Sequence, residues 1–209
     1  MDNLLAGYRR FRRNAWPERR DVFQALADSG QRPRALVIAC IDSRVDPAMI
    51  FDAGPGQILT VRNVANLVPA YAPDGSYHGT SAAIEFGVQV LRVSDLIVLG
   101  HGACGGVKAL IDGPPVNARD FVAPWMSIAS RALNRMPQST PLEERQQWCE
   151  HEVIRISLGN LMTFPWIARR VAEGQLTLHG AWFAIHSGVL MTLQKDGTFQ
   201  TVESEARSL

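Results

Sequence analysis

Short apolar runs recur along this chain at intervals long enough to hold a helix. Strands are predicted near 34–39, 57–61, 95–99 and 176–184. Runs this brief, apolar without alternation, are what a parallel sheet covered on both faces requires. Between the second and third, Gly79 to Arg92 sets Ala83, Ile84, Val88 and Leu91 at helical spacing. That stretch supplies the crossover a parallel pair needs, and the strand-helix-strand unit should be right-handed. Residues 142–172 read mostly as helix, with breaks expected at Gly159 and Pro165. Near the end, Val189 to Leu193 and Thr198 to Val202 flank Lys195-Asp196-Gly197, an Asp-Gly hairpin signal. The class is therefore α/β: a mostly parallel β-sheet core flanked by helices, with an N-terminal helical arm over 1–30 and a C-terminal strand/hairpin extension. No glycine/serine-rich linker divides the 209 residues, so 1–209 reads as a single domain.

Charge changes this picture only locally. The formal net charge is +1, which recommends neither a nucleic-acid nor an acidic-membrane partner. Arg9, Arg10, Arg12, Arg13, Arg19 and Arg20 nevertheless crowd the arm, interleaved with Tyr8, Phe11 and Trp16. An RNA-binding arm fits that composition, but an amphipathic helix packing its aromatics on a neighbouring subunit fits it better. The start is too charged for a signal peptide, and no run approaches the roughly 20 apolar residues of a membrane span. A soluble, cytoplasmic protein is expected. Three cysteines make an odd count, unlike a disulfide framework. Cys149 falls in a helix-like segment and reads as a buried structural thiol.

The chemistry gathers where strands end. Cys40 follows the first strand, and His101 and Cys104 follow Leu96-Ile97-Val98-Leu99-Gly100. Parallel strands present their carboxyl ends along one edge, where such sheets bind ligands. Two thiolates and one imidazole give three zinc ligands and leave the fourth tetrahedral position open, as in a catalytic site. The glycines of His101-Gly102-Ala103-Cys104-Gly105-Gly106 permit tight turns, and a helix beginning there would favour the Cys104 thiolate. In Cys40-Ile41-Asp42-Ser43-Arg44 a carboxylate and a guanidinium follow the first ligand at two-residue steps.

With these motifs the chain resembles the β-class carbonic anhydrases, which share Cys-x-Asp-Ser-Arg and a downstream His-x-x-Cys. Arg62 to Pro69, Gly79 to Glu85 and Ser157 to Leu161 look like family segments too, so the likeness runs from about Gln31 to Trp182. The resemblance implies one Zn²⁺ per subunit on Cys40, His101 and Cys104, with water, hydroxide or bicarbonate as fourth ligand. It implies reversible hydration of carbon dioxide to bicarbonate and a proton, by attack of zinc-bound hydroxide. Asp42 and Arg44 would form the catalytic dyad, Arg44 holding the carboxylate off the metal; a closed state with Asp42 on zinc would be favoured by acid. Two thiolates cancel the charge of Zn²⁺, so its water needs such help.

For substrate binding the likeness points to Gln31, nine residues before Cys40, as a donor, and to backbone amides near Gly105. Leu59 and Phe86 occupy two positions that are often aromatic in plant-type pockets. Val37 stands where the allosteric branch carries a tryptophan of its bicarbonate site, so a plant-type, non-allosteric enzyme is expected although Arg62 remains. The family assembles as dimers or multiples of dimers, with the arm over the partner and pockets near the interface. His78, His151, His179 and His186 are the candidate proton shuttles. Two other readings fit the same motifs: hydrolysis of carbon disulfide or carbonyl sulfide, and a non-catalytic zinc scaffold or thiol sensor. The Asp42-Arg44 pair argues against the scaffold.

Overall fold

The computed structural model describes residues 1–203. Strands β1 (Ala35–Cys40), β2 (Ile58–Asn63), β3 (Asp95–His101), β4 (Thr177–Ala184), β5 (Val189–Leu193) and β6 (Phe199–Thr201) form one sheet in the order β2-β1-β3-β4-β5-β6. Pairings β1/β2, β1/β3 and β3/β4 are parallel; β4/β5 and β5/β6 are antiparallel. All six residues of β1 are buried, as a central strand covered on both faces demands. The expected hairpin around Asp196-Gly197 is the β5/β6 pair, with Gly197 at φ 86° and Asp196 accepting from the Thr198 N–H at 2.9 Å.

The helices are α1 (Asp2–Arg10), α2 (Trp16–Ser29), α3 (Pro47–Ile50), α4 (Gly79–Glu85), α5 (Gly105–Asp112), α6 (Val122–Ser127), α7 (Arg131–Arg135), α8 (Arg145–Leu161) and α9 (Pro165–Ala172). On one side of the sheet α8, α9 and α4 bury Leu36, Ile38, Leu96, Val98, Ile84, Ile154 and Phe164. A second cluster, including Cys149, Val153 and Ile156 of α8, surrounds Cys40 and Cys104. The core thus reaches up to the ligand-bearing strand ends.

Three local features depart from the sequence pattern. Gly159 does not break α8, which runs on to Leu161. The glycine faces solvent, and a Cβ there would meet only Arg131 at 3.8 Å, while Ile156, Ser157, Asn160 and Leu161 stay buried. Tertiary packing outweighs a glycine cost of roughly 1 kcal/mol. The expected helix over Gly79 to Arg92 splits: α4 gives way to a wide π turn at Phe86–Val90, closed by the Leu91 N–H to Phe86 O at 3.0 Å. Arg170 of α9 takes up the loosened end, donating to the carbonyls of Val88, Val93 and Gln175. Helices α6 and α7 have no counterpart in the predicted elements.

The arm is helical, as expected, and carries its own π turn at Phe11–Ala15. Pro17 explains it, because a proline inside a helix lacks the N–H and collides with the carbonyl four residues earlier. Its aromatics pack on one another: Trp16 lies 6.2 Å from Phe11 and 5.3 Å from Phe23, with Arg12 5.0 Å over the Trp16 ring. No residue of the arm is buried. Leu26 reaches the body, its methyls filling the space a Cβ on Gly56 would need.

Candidate metal centre

The register Ala39 opposite Leu99 brings Cys40, last residue of β1, to the level of Gly100, and His101 closes β3 beside it. Past His101 the chain turns sharply. Ala103 adopts φ 55°, Cys104 becomes the residue preceding α5, and that helix starts at Gly105. Gly106 has no room for a side chain, since a Cβ would sit 2.8 Å from Val64 and 3.0 Å from Ala65. The donor atoms of Cys40, His101 and Cys104 therefore lie within 4.8 Å of one another, all three residues buried.

The residues fit zinc. The two sulfurs are 3.9 Å apart. Ligands held at about 2.3 Å in a tetrahedron would stand about 3.8 Å apart. His101 Nδ1 lies 2.9 Å from Gly102 O, the contact that fixes an imidazole tautomer with its N–H on Nδ1. Nε2 then carries the lone pair, and it is buried with no hydrogen-bond partner among the described residues. A buried orphan beside two thiols is a place for a cation.

The thiols share their electrostatics. The hydrogen bond shared with Cys104 pushes the Cys40 thiol down against burial, helped by the backbone amides of Asp42 and Ala65. Cys104 is pushed far above the ordinary thiol range by the same bond and by burial. Zinc, when bound, would hold both sulfurs as thiolates.

Beside this group stands the expected ion pair, with two prongs. Arg44 Nε donates to Asp42 Oδ1 at 2.9 Å and Nη2 to Oδ2 at 2.7 Å, while the Arg44 N–H adds a third bond at 3.0 Å. The Arg44 guanidinium holds the Asp42 carboxyl well below the usual carboxylate range. Arg62 braces the turn from beneath, donating to Cys40 O at 2.9 Å, Asp42 O at 2.6 Å and Asp46 Oδ2 at 3.3 Å.

The remaining sequence-derived residues divide. Gly105 opens α5 next to Cys104. Gln31 does not join the group within one chain: it precedes β1 at the amino end of a strand whose carboxyl end holds Cys40, and it is exposed. Six residues at about 3.3 Å each separate the two ends by roughly 17–20 Å. Leu59 sits near the start of β2, opposite Leu36, and Phe86 is 52% exposed on the π turn. Of the histidines, His78 pairs with Asp74 and His179 with Asp95. His151 is stacked on Phe199, and His186 follows β4 at the carboxyl edge, exposed. Cys149 is buried, and burial pushes its thiol up to about 11.

Sequence reasoning missed Glu150. Only 2% exposed, it accepts from the Cys104 N–H at 3.0 Å, Gln146 Nε2 at 3.1 Å and Trp182 Nε1 at 3.1 Å. A carboxylate between Cys149 and Val153 on the buried side of α8 was the available signal. The resemblance of Arg62 to Pro69 and Ser157 to Leu161 also acquires a reason, because the two segments touch. Ser157 Oγ donates to Asn66 O and accepts the Val68 N–H, while Asn160 Nδ2 donates to Val68 O at 2.7 Å. They hold a loop in which Ala65 and Asn66 both have positive φ.

Comparison with known proteins agrees with this geometry. The family model described as carbonic anhydrase matches residues 35–190. "Beta carbonic anhydrase 3" of Arabidopsis thaliana is 34% identical over 100% of this chain and 81% of its own length. A carbonic anhydrase of Pseudomonas aeruginosa is 37% identical over 90% and 85%. Among solved structures, the β-carbonic anhydrase CcaA superposes with a TM-score of 0.87 at 30% identity, covering 98% of this chain and 93% of that one. A tetrameric β-carbonic anhydrase of Sordaria macrospora gives 0.71 at 28% identity, covering 95% and 94%. The chain belongs to the carbonic anhydrase family, in its β class, whose zinc-dependent reaction is the reversible hydration of carbon dioxide.

Proposed function

We propose that Asp42 and Arg44 are the catalytic pair of this carbonic anhydrase and that Cys40, His101 and Cys104 hold its zinc. Zinc, when bound, supplies the Lewis acidity that makes a water nucleophilic near neutral pH. The forked Asp42-Arg44 pair beside the buried sulfur-sulfur-nitrogen group carries this reading. Asp42 Oδ1 is taken by two donors of Arg44, but Oδ2 receives only one and keeps an acceptor site. Held as the anion, Asp42 accepts a hydrogen bond there from the attacking water and turns its lone pair toward carbon dioxide. Arg44 keeps the carboxylate in that orientation, and the Gly105 amide offers a donor for bicarbonate oxygen.

The wall of the substrate pocket is completed by a second copy of the chain. Gln31, Leu59 and Phe86 lie away from the metal group of their own chain, and Gln31 directly follows an arm with no buried residue. That arm exposes Leu4, Leu5 and Tyr8, while a groove of about 880 Å³ elsewhere on the body is lined by Ile41, Tyr77, Phe121 and Trp125. Two unpartnered apolar surfaces on one chain suit a homodimer or a multiple of dimers. Residues 1–30 are then the arm of a single domain. Arg62, opposite Ala39 in the sheet, has all three nitrogens committed, and Val37 offers no indole; both favour the plant-type branch without a bicarbonate switch. No described helix is long and apolar enough to cross a membrane. Three free thiols, two of them ligands, favour a reducing, cytoplasmic setting.

Stopped-flow hydration of carbon dioxide by Asp42→Asn tests the pair. At unchanged zinc content, kcat/KM should fall roughly 10²-fold or more. Native turnover by that variant would remove Asp42 from the reaction.

A further inference from the structure

One peptide group at the site is gripped from both sides. The bond between Ala103 and Cys104 is trans, so its carbonyl and N–H point in opposite directions. Its oxygen accepts from Arg44 Nη2 at 3.2 Å, on the side where Arg44 holds Asp42. Its N–H donates to Glu150 Oε1 at 3.0 Å, on the buried side. Among the described residues, every hydrogen bond to Glu150 comes from a donor: this N–H, Gln146 Nε2 and Trp182 Nε1. Gln146 also reaches Cys104 O at 3.4 Å, and α8 fixes both residues as i and i+4. The grip works against a local preference, because Ala103 is held at φ 55°, where an alanine Cβ crowds the backbone. Rotation of this peptide plane would break the Arg44 and Glu150 bonds together.

We propose that Glu150 is a positioning residue for turnover: by holding the Cys104 N–H it fixes the Ala103-Cys104 peptide plane, whose carbonyl steadies Arg44 and, through it, the Asp42 carboxylate. A carboxylate suits this task because three donors converge on it and it can only accept. Glutamine in its place would turn at least one N–H against another. The inference rests on the reading that Asp42 and Arg44 act in the reaction, and the test below separates the two.

A double-mutant cycle on kcat/KM, with zinc content measured for each protein, compares Glu150→Gln, Arg44→Lys and the double variant. Arg44→Lys should lose at least about 10-fold, and Glu150→Gln roughly 10-fold at full zinc occupancy. The double variant should be no more than about twofold worse than Arg44→Lys, because both substitutions release the same group. Independent, multiplying losses would overturn the proposal, as would a Glu150→Gln loss that vanishes once zinc is restored. A native rate for Arg44→Lys would instead sink the catalytic reading of the pair.

The ¹H–¹⁵N signal of Arg44 Nε gives a readout independent of activity. It should move in Glu150→Gln, and a residue that merely supports the fold would leave it in place. Should Glu150→Gln not fold, Glu150→Asp keeps the charge but is one methylene too short to hold the Cys104 N–H. It should reproduce the Nε shift and a several-fold loss of kcat/KM; an unmoved signal with a native rate would overturn the proposal.

Discussion

The two ends of the parallel strands are built differently. At the carboxyl edge, Cys40, His101 and Cys104 are buried, and the backbone around them is held by side chains from distant elements: Arg62, Glu150 and Ser157. At the amino edge, Gln31 is exposed, Phe86 is half-exposed, and the arm above them buries nothing. The metal group is complete within one chain, its three donor atoms within 4.8 Å of one another. The amino edge leaves its side chains open to a neighbour, as the proposed dimer requires.

Breaking the carboxyl edge should have the largest effect. His101→Ala removes the imidazole and leaves two thiols with no third ligand, so zinc affinity should fall roughly 10²-fold or more and carbon dioxide hydration should drop with it. Cys149→Ser is the counterpart, placing a hydroxyl in the same apolar cluster without touching the metal group. It should lower thermal stability by about 1–3 kcal/mol while keeping one zinc per chain. Metal analysis after dialysis, beside thermal melts, checks both. Loss of zinc from Cys149→Ser would mean that the site extends further than its three ligands.

The amino edge makes a sharper claim, since a residue acting across an interface can be complemented. We expect Gln31→Ala to lower kcat/KM roughly 10-fold and Asp42→Asn more severely. In a mixed dimer of these two chains, the site with an intact Asp42 faces an intact Gln31 on its neighbour. Purified hybrids should recover about half the native activity, because one of two sites is whole. A hybrid no better than the mean of its parents would place Gln31 outside the pocket or within its own chain's site.

This contrast also marks how far the sequence could be read. Four strands follow from short apolar runs and two from the Asp-Gly hairpin signal, and the ligands stand out because Cys40 and His101 end two of those runs at one edge. The family resemblance singled out Gln31, nine residues before Cys40, but position along a strand says nothing about which copy's site it serves. For Glu150 the sequence offered a carboxylate on a buried helix face but not its partners. Its partners Cys104 and Trp182 lie 46 and 32 residues away in sequence, so no local pattern shows that a carboxylate on a buried helix face is satisfied. The π turn at Phe86–Val90 leaves hydrophobic spacing almost unchanged and shifts only the hydrogen bonds, which periodicity does not register. Gly159 misled because helix propensity is a weak prior where buried neighbours on both sides hold the turn.

The smallest expected effect concerns His151, on the same helix as Glu150 but facing the C-terminal strands. Its ring stacks on Phe199 at 4.0 Å and meets Trp182 edge-on at 5.1 Å, and Nε2 is buried without a partner. Burial, with the charge of Arg155 nearby, lowers its pKa to about 4. The unfolded chain binds this proton near pH ~6.5. The native state therefore forgoes a proton that the unfolded state accepts: the full stability is present above about 6.5 and is lost as pH falls toward about 4. Because the ring is partly solvated, the loss should be discounted to about 1 kcal/mol, a melting shift of roughly 2–4 °C for a chain of this size. His151→Leu should flatten that part of the pH profile at constant zinc loading, leaving the remaining acid dependence to the carboxylates and the metal ligands. An identical slope in native protein and variant between pH 6.5 and 4 would mean that His151 titrates in the fold as it does in water.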